Sequence, residues 1–261
     1  MCFDLDSHPP IAAIAGGSLD HESLVLSADD GNRFNAFRAR ATLPTGIGIV
    51  ILPDVRGLHP YYEELALRFA EAGIDALALD WFGRTAGTET PRDDTFEYQP
   101  HVGETTWTGI AADIRAAAAE ARSDEARVTS LFTIGFCFGG QVAFDTPTLG
   151  LGLTGTIGFY GSPVRDRGNG TPIPVDVAAE MKGAVLGLFG GADAGIPPDA
   201  VAAFGEALTA AGVDHRLVSY EGAPHSFFDR KAAEFADASD AAWTEVLTFI
   251  TKRAATVAAA S

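Results

Sequence analysis

The sequence predicts an α/β architecture: a mostly parallel central sheet, helices on both faces, and an antiparallel hairpin at one, N-terminal edge. Three observations carry this reading. Continuous apolar runs such as Ile47–Leu52 and Ala184–Gly190 read as strands buried on both faces. Segments with helical apolar spacing alternate with those runs, and alternating strands and helices make parallel sheets. The turn Asp29-Asp30-Gly31-Asn32 joins two strand-like stretches, 22–28 and 34–41, as an opening hairpin.

The elements follow in order. After the hairpin and the strand Ile47–Leu52, residues 61–72 have helical spacing and stop at Gly73. Residues 74–79 are the next strand. Residues 83–106 are polar and read as loop or a partial cover over a site. A helix over 107–122, a strand over 128–135 and a helix opening at 139–145 come next. Residues 154–159 form a strand, and 161–174 a Gly/Pro-rich loop. The strand Ala184–Gly190, a helix over 198–211, a strand over 216–220 and a long terminal helix over 232–253 complete the chain. No repeat or boundary linker interrupts this pattern, so one domain over 1–261 is the simpler expectation.

Composition narrows the function classes. The 261 residues carry 18 basic and 35 acidic side chains, a formal net charge of −17. Phosphate backbones need a basic surface, so nucleic acid is not an expected partner. The same charge argues against a polybasic membrane patch, and no apolar run reaches the ~18 residues of a membrane span. Asp4 and Asp6 stand where a signal peptide would carry basic residues. The expected setting is cytoplasmic, and the expected assembly a monomer or small homo-oligomer. Two cysteines, Cys2 and Cys137, cannot build a disulfide framework or a Cys-rich zinc site. No metal or nucleotide motif occurs, so no cofactor is expected.

Ligands of open parallel sheets bind beyond the carboxyl ends of the strands. Six strand ends therefore matter, and a thiol, two carboxylates and an imidazole fall on that rim. Gly135-Phe136-Cys137-Phe138-Gly139-Gly140 has the form of a nucleophile elbow, with cysteine where many enzymes have serine. A sharp strand-to-helix turn exposes the nucleophile, and small neighbours let the backbones approach. The helix N-terminus favours thiolate, and the Phe138 N–H would face a developing oxyanion. The bland alternative, a buried structural cysteine, is weakened by the glycines and the strand–helix context. His225 is the one histidine just beyond the last strand. Asp193 follows Gly190-Gly191-Ala192, so the chain order is thiol, acid, imidazole. His215 begins the last strand at the opposite rim, while His59 and His101 are candidate contacts to substrate. Asp199, the fallback acid, opens the next helix.

The loop after the first parallel strand supplies a second oxyanion donor, the N–H of Val55. Asp54 beside it is compatible with capping a helix, bonding the loop backbone or facing the thiol. Arg56 could neutralise Asp54 or bind a substrate carboxylate. Trp81, Tyr160 and Phe227 are expected pocket walls, whereas Phe136 and Phe228 read as core. Cys2 reads as an inert terminal residue.

The elbow, with Asp193 and Pro224-His225-Ser226-Phe227, resembles the dienelactone hydrolase family. The likeness runs from Cys2-Phe3-Asp4 to the terminal helix. The resemblance implies an α/β-hydrolase fold and a Cys137–His225–Asp193 triad acting on a small lactone or ester. It also implies that an acid in the oxyanion loop helps activate the thiol, and Asp54 falls there. The family's acid is typically glutamate, one methylene longer. Asp229 stands where the family places an arginine for the substrate carboxylate; Arg56, Arg84 and Arg92 are other candidates. The alternatives are a broad carboxylesterase or thioesterase of the same fold, a ligand-binding member without turnover, and a thiol sensor.

Overall fold

A computed structural model describes residues 7–13, 20–124 and 127–260. Cys2 and the opening Cys2-Phe3-Asp4 lie outside the described residues. Eight strands form one sheet: β1 (Asp20–Ser27), β2 (Arg33–Arg40), β3 (Ile47–Leu52), β4 (Asp75–Leu79), β5 (Ser130–Phe136), β6 (Gly155–Phe159), β7 (Ala184–Gly190) and β8 (His215–Tyr220). Their spatial order is β1-β2-β4-β3-β5-β6-β7-β8. The β1–β2 and β2–β4 pairs are antiparallel, and every other pair is parallel. The expected sheet and edge hairpin are thus what the chain forms.

Burial explains the strand pattern. All six residues of β3 are buried, because both of its faces are covered. Ile49 and Ile51 face a core shared with α1 (Pro60–Glu71) and α7 (Ala236–Ala260). Val50 and Leu52 face a second core built with α4 (Trp107–Ala121). β1, by contrast, is largely exposed at the sheet edge. Pro60 opens α1, where its missing N–H costs nothing. The Thr106 hydroxyl caps α4 by accepting from the Gly109 N–H.

The 83–106 stretch departs from the loop expectation. It contains two short helices, α2 (Gly83–Ala86) and α3 (Tyr98–Glu104). Neither has a sustained apolar stripe that could be read along the chain. Nonlocal pairing anchors the stretch: Arg92 meets Asp80 at 2.8 Å, both side chains being almost fully buried. Asp80 also accepts the Leu58 and Phe82 N–H groups, which ties this cover to the loop after β3.

Candidate active site

The site grows out of the turn between β5 and α5 (Phe138–Asp145). Cys137 has φ 55° and ψ −106°, a conformation that costs energy for a side-chain-bearing residue. Its N–H donates to the Phe159 carbonyl at 3.0 Å, and its carbonyl accepts from Gln141. The flanking glycines are sterically required. A Cβ on Gly135 would collide with the Gly139 carbonyl, and one on Gly139 with the carbonyls of Leu52 and Pro53. Among the described residues, the other non-glycine residues with positive φ are Tyr160 and Ser226, one at the end of β6 and one next to His225.

The structure brings Cys137, His225 and Asp193 together. His225 Nδ1 lies 2.6 Å from Asp193 Oδ2, and the ring is also hydrogen-bonded to the Cys137 sulfur. Asp193 Oδ1 accepts the Gly195 N–H at 2.8 Å, which fixes the carboxylate plane. Burial alone would lower the His225 pKa. The hydrogen bonds to Asp193 and Cys137, with their charges, outweigh it and push it up to about 10. Burial likewise raises Asp193, but the His225 partner leaves its carboxyl below the usual value. The arrangement suits an imidazolium held between two anions. Asp199 sits in the first turn of α6 (Pro198–Ala210), away from this pair, with its carboxylate on the Ala200 N–H.

The loop after β3 is pinned from several sides. The Asp54 N–H donates to the Tyr62 hydroxyl at 2.9 Å, and Asp54 Oδ1 accepts the Arg56 N–H at 2.9 Å. Asp54 thus bonds the loop backbone, one of its three expected options, and is fully buried. Val55 lies between these two anchored amides. The Trp81 indole N–H donates to the carbonyls of both Pro53 and Asp54. Trp81, read from the sequence as a pocket wall, is buried and braces this loop, edge-on to Phe138.

The remaining residues divide. The Tyr160 ring packs 4.9 Å from His225, and its hydroxyl donates to Asp229 Oδ2 at 2.7 Å. Phe227 packs against Tyr160 and Tyr220 and is fully buried. Phe136 and Phe228 stack in the core, as read from the sequence. The Arg84 guanidinium spans Asp30, in the β1–β2 turn, and Asp113, on α4. Arg92 is held by Asp80. Pairing of this kind joins segments distant in sequence and leaves no local pattern. Asp229 is buried, and burial followed by the Asp54 charge raises its carboxyl well above the usual range. His59 is buried too, its pKa lowered to about 3 by burial and then by Arg56. It lines a cavity of about 700 Å³ with Leu58, Glu63 and residues 88–94, a space that does not include Cys137, Asp193 or His225. His101 stacks on Phe96 at 5.0 Å.

Sequence reasoning passed over Arg165 and Arg167. Both lie in the loop after β6, five and seven residues past Tyr160, beyond the rim positions that strand ends identify. Arg165 acts on Asp193, and Arg167 feels the charge of Cys137. Two arginines within three residues, on a loop leaving the rim, were the available signal.

Comparison with known proteins bears on this geometry. The sequence profile of the dienelactone hydrolase family matches residues 34–254. The chain belongs to the dienelactone hydrolase family. A candidate carboxymethylenebutenolidase of Methylorubrum extorquens is 32% identical over 69% of this chain and 62% of that protein. Another from Salmonella typhimurium is 27% identical, over 84% of this chain and 80% of that one. Among solved structures, a candidate dienelactone hydrolase of Klebsiella pneumoniae superposes with a TM-score of 0.76 at 26% identity, covering 90% of this chain and 99% of its own. The fold is that of the α/β-hydrolases, and the dienelactone hydrolase family consists of hydrolases that act on ester or lactone bonds. No helix among the described residues is long and apolar enough to cross a membrane.

Proposed function

We propose that this dienelactone hydrolase family member cleaves a small lactone or ester through a thioester on Cys137. One observation carries the reading: a thiol on a strained elbow, hydrogen-bonded to an imidazole that is itself held by a carboxylate. The Cys137 thiolate attacks the carbonyl carbon. The N–H groups of Phe138 and Val55 are the donors assigned to the oxyanion. Collapse expels the alkoxide, which takes its proton from the His225 imidazolium. Water then gives a proton to His225 and attacks the thioester, and the thiolate leaves as the acid is released. Asp193 keeps His225 in one tautomer. Asp54 shapes the oxyanion loop and takes part in activating the thiol as a proton acceptor when substrate binds. Tyr160, packed on His225, and Phe227 behind it are assigned to the pocket wall, and Arg56 is the loop arginine assigned to the substrate side.

The relatives named as carboxymethylenebutenolidases favour a lactone. A second reading, a broader carboxylesterase or thioesterase, is favoured by Asp229: it places a buried carboxyl beside His225 where the family resemblance leads one to expect an arginine. A substrate panel of cis-dienelactone against p-nitrophenyl esters separates the two.

Iodoacetamide alkylation and ester hydrolysis, measured on the same samples in a Cys2→Ser background, test the mechanism. Wild-type Cys137 is expected to react with an apparent pKa well below the ~8.5 of a free thiol. Cys137→Ala should abolish hydrolysis, and His225→Ala should reduce it by at least about 10²-fold. Full hydrolysis by Cys137→Ala would falsify the reading. Labelling or acylation of Cys137 without turnover would point to a binding or thiol-sensing protein.

A further inference from the structure

The loop after β6 brings a cation to the ring that follows the nucleophile. The Arg167 guanidinium carbon lies 4.5 Å from the centroid of the Phe138 ring, and Phe138 directly follows Cys137. Arg167 is half-buried, and its Nε is buried without a hydrogen-bond partner. Arg84 and Arg92 each meet a buried carboxylate; among the described residues, no carboxylate ion-pairs with Arg167. Its loop is held to α5 by Gln141, whose Nε2 donates to the Arg165 carbonyl at 2.8 Å.

The charges around Arg167 are few. Burial lowers its pKa to about 10, the anionic Cys137 opposes that fall, Arg165 adds to it, and Asp145 opposes it weakly. Asp145 is fully buried at the end of α5, and burial pushes its carboxyl up to about 9. It is therefore neutral at pH 7, and the sulfur is left as the anion that Arg167 faces. His225, held by Asp193, is hydrogen-bonded to the sulfur, and the charges of Asp54 and His225 both act on Asp229.

We propose that Arg167 is a positioning residue for the nucleophile: seated on the Phe138 ring, its guanidinium shares with His225 the task of holding the Cys137 sulfur as thiolate. A cation over an aromatic face is held in place without a carboxylate that would cancel its field. It sits at the mouth of α5, where the helix N-terminus acts in the same direction. The inference rests on Cys137 being the nucleophile.

The test compares wild type, Arg167→Met and Arg167→Lys in the Cys2→Ser background. Thiolate is followed by absorbance at 240 nm and by iodoacetamide rate across pH, with thermal unfolding as a fold control. Methionine keeps an apolar stem over Phe138 and removes the charge. The expected result is an upward shift of the Cys137 midpoint by about one pH unit. The alkylation rate at a pH below that midpoint should fall roughly tenfold, with lysine restoring most of it. A merely structural role would lower the unfolding temperature without moving the midpoint. Coincident pH profiles in a folded Arg167→Met protein overturn the proposal while leaving the nucleophile in place. Failure of the nucleophile reading looks different: wild-type Cys137 stays unreactive, and Cys137→Ala hydrolyses ester at the wild-type rate. Should Arg167→Met not fold, Arg167→Gln carries the same comparison.

Discussion

Asp145 shows how burial alone can set the charge state of a single residue. It ends α5, both carboxyl oxygens are buried without hydrogen-bond partners, and burial pushes its pKa up to about 9. A carboxyl whose folded value lies above its unfolded value of ~3.9 holds its proton better in the folded state. Between pH 4 and about 9 the unfolded chain has lost that proton and the folded one has not, so stability falls as pH rises. Asp145→Asn removes that slope. Its unfolding free energy should match wild type near pH 4 and exceed it increasingly toward pH 8, by at most about 1.4 kcal/mol per pH unit. Urea titrations at three pH values check this; parallel wild-type and variant curves would contradict it. His225 has the same direction of shift and the same sign of pH dependence, in a higher window. As a base raised to about 10, it stabilises the folded state fully below its unfolded value of ~6.5, and that stabilisation is lost as pH rises toward 10.

At the scale of elements, the β5–α5 turn is the part of the site most legible in the sequence. Its chemistry and its sterics are both local: a nucleophile flanked by glycines, with an apolar strand before and a helix after. The structure explains the glycines one by one. Gly139→Ala would drive a Cβ into the carbonyls of Leu52 and Pro53, the start of the oxyanion loop. It should cost more than about 2 kcal/mol of stability and lower hydrolysis by more than tenfold. Gly103→Ala, in α3, meets nothing within 4 Å and should be neutral or stabilising by about 0.5–1 kcal/mol. Equal denaturant midpoints for the two variants would refute the steric argument. The helices of the 83–106 stretch were less legible. Their place is set by the buried Asp80–Arg92 pair rather than by an apolar stripe, and an ion pair between segments writes no periodicity into either.

For the molecule as a whole, the net charge of −17 is the dominant long-range feature. It should repel an anionic ester approaching the rim, against the local pull of Arg165 and Arg167. Screening weakens long-range repulsion first, since the Debye length falls from about 30 Å at 0.01 M salt to about 8 Å at 0.15 M. The value of kcat/KM for an anionic ester should therefore rise severalfold over that range, while a neutral ester stays level. Steady-state rates on a matched pair of p-nitrophenyl esters decide it, and a fall for the anionic ester would show that the two arginines outweigh the global charge.

What the sequence by itself determined was the set of strands and helices, their parallel arrangement with an antiparallel edge, and the rim on which Cys137, Asp193 and His225 sit. These depend on which residues bury themselves and on chain order, and both are written along the chain. The tertiary structure alone decided where the unlike charges meet. It gave Arg84 to Asp30 and Asp113, Arg92 to Asp80, and the Asp54 carboxylate to its own loop. It also left Arg167 on the ring beside the thiol. A charge selects its partner by distance in space, and side chains brought together from different elements have no common pattern in sequence.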